Sequence, residues 1–173
     1  AILCGGVIGP ILLMIGLSLT AAATASLLLT LEGAATALIA WFAFRENFDR
    51  RIAAGMLLIV LGAAVLSWQD GVSLDGVLGP LAIAGACIAW GLDNNLTQRL
   101  SIKDPFAIVR IKATSAALAN VGIASLRGAP WPPLDMLALT LAVGCASYGI
   151  SVLLDAYALR LIGAAREAAY FAT

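Results

Sequence analysis

Residues 22–44 read AATASLLLTLEGAATALIAWFAF, an apolar stretch of helical length interrupted by one charge, Glu32, near its middle. About 20 such residues cross the hydrocarbon core of a bilayer. The stretch therefore predicts a membrane span. An ionised carboxylate at that depth costs about 2.5–3.5 kcal/mol on insertion scales, so Glu32 is expected to face protein or water rather than lipid. Glu32 is accordingly the first candidate for a functional side chain.

The rest of the chain has the same character. Of the 173 residues, 62% are hydrophobic and only 12% charged, whereas soluble domains average about 45–50% apolar residues. Ten Lys and Arg balance ten Asp and Glu, which leaves no electrostatic footprint for a nucleic-acid partner. Cys4, Cys87 and Cys145 each lie inside an apolar segment, without a CxxC pair and in a chain with no histidine. That pattern reads as small buried hydrophobes, with no disulfide framework and no metal site expected. No GxxxxGK[ST] loop occurs, so no nucleotide is implied, and no cofactor is expected. Without histidine, proton handling falls to carboxylates, Lys or Tyr.

Working outward, residues 1–19 form an apolar segment containing Gly5, Gly6, Gly9 and Pro10. Such residues predict a bend or a close helix contact, and Gly5 and Gly9 make a GxxxG pair. A charged loop, RENFDRR at 45–51, precedes a third segment at 52–68 in which Gly55 and Gly62 share a face. The acidic turn QDGVSLDG at 69–76 leads to a fourth segment at 78–100. Asp104 and Pro105 carry a helix-start signal for a fifth, 105–126, since Pro suits the first turn. After GAPWPP a sixth runs over 134–161, and a seventh starts near Ala164. The expectation is an all-α, polytopic membrane helix bundle of six complete helices and a seventh fragment, without β-sheet, because only such helices satisfy the backbone in lipid. Both ends of the chain fall within apolar segments, which reads as an internal piece of a longer membrane protein.

Alternating the loops puts Arg45, Arg50, Arg51, Arg99, Lys103, Arg160 and Arg166 on one side and Arg127 alone on the other. Basic residues in short loops mark the cytoplasmic side. An internal similarity bears on this topology. IGPILLMIGLSLTAAAT from Ile8 aligns with ISVLLDAYALRLIGAAR from Ile150, with identity at Ile8, Leu12, Leu17, Leu19, Ala22 and Ala23. The turn in the first copy lacks basic residues while the second has Arg160 and Arg166, so the copies are expected to insert in opposite orientations. Inverted repeats of this kind place a transported substrate near the midplane.

These residues resemble the drug/metabolite transporter superfamily, specifically EamA-type transporters. The stretch from GLSLTAAATASLLLTLEG to the LGAAVLS that ends the third segment is similar to the third to fifth helices of a repeat, with Glu32 in the fourth helix and Glu46 after its end. DPFAIVRIK looks like the start of the second helix of the next repeat, and YALRLIGAAREAAYFAT like its third and fourth. The resemblance implies two five-helix repeats. Residues 1–70 would hold the last three helices of the first, and 71–173 the first three and the start of the fourth of the second. Gly33 stands where the family commonly has Pro, and the second repeat shows no counterpart of Glu32 before the chain ends.

Further candidates follow from depth and spacing. Asp93, Asn94, Asn95 and Gln98 form a polar cluster near the end of the fourth segment. Asp93 lies about 10 Å from that end at 1.5 Å per residue, and Lys112 reaches a similar depth on the next helix. An isolated charge there is expensive, so the two are expected to pair. Arg110, nearly opposite Lys112 around the helix, can snorkel to the headgroups. Asp155 shares a face with Tyr148, while Tyr157 points away; Trp90 shares one with Asp93. Trp41, Trp68 and Trp131 read as interface anchors. The expected function is a secondary transporter in the inner membrane, alternating access to a small organic metabolite or drug. Glu32, Trp90, Asp93, Asn94, Lys112, Tyr148 and Asp155 are its candidate substrate or coupling residues. The partners are a small-molecule substrate, the lipid bilayer and, through Glu32, protons as a coupling ion; oligomeric state is left open. An intramembrane enzyme using a buried carboxylate and a non-transporting subunit are the alternative readings.

Overall fold

The computed structural model describes residues 1–46, 50–68, 76–102 and 104–171. Most of the acidic turn (69–75), residues 47–49 of the basic loop, and Lys103 lie outside the described residues. The described residues form helices without a strand. They run as α1 (Cys4–Leu19), α2 (Ala22–Phe42), α3 (Arg50–Trp68), α4 (Leu78–Leu100), α5 (Pro105–Leu126), α6 (Leu134–Ile162) and α7 (Ala164–Phe171). The chain is an all-α membrane helix bundle, with α2, α5 and α6 long and apolar enough by themselves to cross a bilayer.

Local sequence sets the joints. Asp104 caps α5 by accepting from the Ala107 amide at 3.2 Å, with Pro105 in the first turn. Gly163 between α6 and α7 has φ +83°, a backbone angle that favours glycine. Glu46 then reaches across from the end of α2 and accepts from the Ala165 amide at 3.2 Å, satisfying a free donor in the first turn of α7. α2 is interrupted at Thr30. There the Thr30 hydroxyl donates back to the Leu27 carbonyl at 2.6 Å, a bond that bends helices.

The hub is α4. Against α1 it packs antiparallel through small residues along the whole length. Gly5 lies on Asp93, Gly9 on Trp90, Leu12 on Gly85, Gly16 on Ile83, and Leu19 and Thr20 on Gly79. The GxxxG pair thus admits two large α4 side chains rather than another glycine. Against α2 it runs parallel, with Cys87 on the Leu28 carbonyl and Asn95 donating to the Thr36 carbonyl at 2.8 Å. Ala34, Ala37 and Ala40 of α2 form a second contact with Ala164, Ala165 and Ala168 of α7. A Cβ built at Gly55 or Gly62 of α3 would meet no atom within 4 Å among the described residues. Of the three cysteines only Cys87 is buried; Cys4 is half-buried and Cys145 exposed, because an apolar face of α6 can be left bare where lipid covers it.

Gly91 shows how tight the hub is. A Cβ there would stand 2.8 Å from the Thr36 nitrogen and 3.0 Å from the Ala35 carbonyl carbon, both backbone atoms that cannot step aside. Gly91→Ala is expected to destabilise the protein by about 1–3 kcal/mol, the usual cost of overpacking. A thermal melt in detergent should show the drop, and an unchanged midpoint would mean that α2 and α4 do not pack this closely.

Two helices depart from α geometry. Residues Cys4–Ile8 of α1 and Gly144–Gly149 of α6 are π-helical. π-turns recur at functional sites. Under the alignment of Ile8 with Ile150 the two turns overlap, so the same irregularity occurs at matching places in both copies. In α1 the loosened carbonyls are taken by side chains, Trp90 donating to Gly5 at 3.1 Å and Asn120 to Gly6 at 2.8 Å.

Candidate functional site

α1, α2, α4, α5, α6 and α7 surround a cavity of about 370 Å³, within the range of small-molecule sites. Both π-turns contribute to its wall, through Gly5 and Gly6 on one side and Tyr148 and Gly149 on the other. Its chemistry is concentrated in a few groups on otherwise apolar helices.

On α4, Asp93 and Asn94 face opposite partners. The Lys112 ammonium donates to Asp93 Oδ2 at 2.7 Å and to the Thr97 hydroxyl at 2.6 Å. Only 15% of the Lys112 side chain and 9% of that of Asp93 is exposed. This is a buried pair, in which removal of either partner strands the other charge. Asp93 Oδ1 lacks a hydrogen bond and packs on Gly5, the one residue type whose surface leaves room for it. Asn94 turns the other way and donates to Glu32 Oε1 at 3.2 Å and to the Thr36 hydroxyl at 3.3 Å. Glu32 thus points into the bundle, held by α4, with Gly5 and Gly6 of α1 on the far side of the same cavity.

Asp155 of α6 and Glu167 of α7, on either side of the Gly163 turn, both line the cavity. Glu167 is 7% exposed. The cavity therefore gathers four carboxyl groups, on α2, α4, α6 and α7, around one ammonium.

The sequence comparisons bear on this arrangement. Residues 1–68 match the model of the EamA-like transporter family. A protein of Methanothermobacter thermautotrophicus described as an uncharacterized transporter is 33% identical over 171 residues. Over residues 1–68 the chain carries the sequence pattern of the EamA-like transporter family. That alignment takes in 95% of the chain and 50% of the archaeal protein, so the chain spans about half the length of the curated relative it matches. No solved structure matches it.

The seven residues singled out by sequence, Glu32, Trp90, Asp93, Asn94, Lys112, Tyr148 and Asp155, all line the one cavity. Asn95 belongs instead to the α2–α4 packing. Arg110 and Tyr157 are outside the cavity and exposed, as are the rings of Trp41 and Trp131. Four polar lining residues, Thr36, Thr97, Ser151 and Glu167, escaped sequence reading. Thr36 and Thr97 are four positions from Glu32 and Asp93, hence on the same helix faces. Glu167 follows Arg166 in what reads as a cytoplasmic turn, yet it lies on the cavity wall.

Proposed function

We propose that the protein is a secondary transporter of small organic metabolites or drugs, working by alternating access in the inner membrane. The observation that carries this reading is the cavity itself, a ligand-sized space between helices, with ionisable groups held where lipid-facing charge would be costly. Its walls include the π-turns of α1 and α6, which overlap under the alignment of Ile8 with Ile150 and offer places to flex. Glu32 is the coupling group. It carries a proton through the closed state and exchanges it with water when the cavity opens. The Asp93–Lys112 pair closes one wall and is available as a gate.

Alternating access makes a specific demand on the cavity wall. With Cys4, Cys87 and Cys145 replaced by Ser, a single thiol at Ser151→Cys is expected to react with a membrane-impermeant maleimide added to either face of sealed vesicles. A small dye trapped in the same vesicles should stay inside. Labelling from one face only would leave a binding pocket without transport, and escape of the dye would indicate a pore.

A further inference from the structure

At the end of the bundle that carries Arg45, Arg99, Arg160 and Arg166, three helices are joined by two side chains. The turn that ends α2 sets up both bonds. Arg45 has φ +54°, the one non-glycine residue among those described with a positive φ, a conformation that a Cβ disfavours. The reversal lets the Glu46 amide donate back to the Ala40 carbonyl at 3.0 Å and carries the Glu46 side chain off α2 towards the start of α7. There Glu46 Oε2 accepts from the Ala165 amide at 3.2 Å. It stands 3.4 Å from the place a Cβ of residue 163 would take, so the glycine also leaves room for it. From α4, Arg99 donates to the Phe44 carbonyl at 3.0 Å and lies 5.3 Å over the Phe44 ring, which holds the turn that presents Glu46. Backbone strain kept in place by its surroundings is a feature of switch regions.

Resting on the transporter reading above, we propose that Glu46 is the latch that keeps the cavity closed at this basic end, and that α7 is the element that moves when the latch releases. Gly163 is the hinge. It is the whole connection between α6 and α7, and its φ +83° and ψ 162° lie in a region open to glycine alone. Helix α7 brings Glu167 and Ala168 to the cavity wall, within one turn of the bonded Ala165, so a swing about Gly163 opens the wall on that side. The seam between α7 and α2 permits such a movement. It sets Ala34, Ala37 and Ala40 against Ala164, Ala165 and Ala168, methyl groups that pack closely without deep interdigitation. The bond from Glu46 gives this smooth contact its direction, and a carboxylate suits the positive end of α7. The α2–α4 contact is keyed differently, by Asn94, Asn95, Cys87 and Arg99, so those two helices stay together as the fixed body.

The Ser151→Cys reporter, in the complete protein with Cys4, Cys87 and Cys145 replaced by Ser, tests the latch. An impermeant maleimide enters the cavity only through an open end, so its rate from each face follows the fraction of protein open to that face. Inverted vesicles present the basic end outward, and right-side-out vesicles the other. Glu46→Ala takes a charge-assisted hydrogen bond from the closed state. It should raise the rate in inverted vesicles about tenfold or more and should not raise it in right-side-out vesicles. Glu46→Gln keeps an acceptor oxygen for the Ala165 amide and should stay within about fivefold of the unaltered protein, the share that belongs to a negative charge at a helix N-terminus. Should Glu46→Ala not fold, Arg99→Ala at an exposed position carries the same test, with a rise of about threefold or more. An unchanged rate in inverted vesicles, an equal rise in both vesicle types, or a Gln variant as reactive as the Ala variant overturns the latch. The transporter reading fails on a different result, labelling of the unaltered protein from one face only, and the response to Glu46→Ala then still decides the latch by itself.

Discussion

Lys112→Met is expected to lower the stability of the protein by about 3–5 kcal/mol, and adding Asp93→Asn to the same protein to restore much of it. The Lys112 ammonium is held by Asp93 at 2.7 Å and Thr97 at 2.6 Å in a site from which water is nearly excluded. Removing it leaves an ionised carboxylate that already has one oxygen without a donor and that rests against Gly5. Asparagine at position 93 takes away the charge at almost unchanged volume, so the double variant should refold around a neutral contact. Thermal melts of the four proteins in detergent form the test. A double variant no more stable than Lys112→Met would show that the cost lies in the packing of the lysine stem. Recovered folding without recovered transport would assign the pair to gating, and recovery of both would make it structural.

The helices were legible because lipid imposes a single rule on each segment, and the apolar runs ended at the Pro, Gly and charged residues that end helices in the structure. Depth was legible too. Asp93 and Lys112 could be matched from a short connection and a fixed rise per residue, and the ion pair follows from that arithmetic. What the sequence withheld is which helices touch at long range. Nothing in residues 1–19 says that Gly5 will lie against Asp93 or Gly9 against Trp90, since a GxxxG pair specifies closeness but no partner. The π-turns were visible only as clustered glycines. Glu167 was missed because a carboxylate next to Arg166 reads as solvated loop, and its burial depends on Glu46 capping α7 from a different part of the chain.

The second large effect concerns Glu32. Its carboxylate accepts one hydrogen bond from Asn94 and faces the cavity shared with Asp93 and Asp155. Glutamine has the same length, and its amide oxygen can accept the same bond, so Glu32→Gln should fold with a melting point close to that of the unaltered protein. It cannot exchange a proton. With Gln at 32, the route by which a proton passes between the cavity and water is gone, and net movement of substrate against a gradient should fall to the level of empty vesicles. Exchange of substrate for substrate, which needs no net proton transfer, should continue. Loss of both modes would instead mark Glu32 as a substrate contact, and loss of neither would fit a membrane subunit without transport.

The most direct measurement is of proton flux in proteoliposomes of the complete protein carrying an internal pH dye, exposed in turn to a panel of small amines, amino acids and neutral metabolites. The account predicts that at least one compound changes the internal pH with the unaltered protein, and that the same compound changes it no more with Glu32→Gln than with empty vesicles. An equal pH change in both proteins, or none from any compound with the unaltered protein, would contradict it.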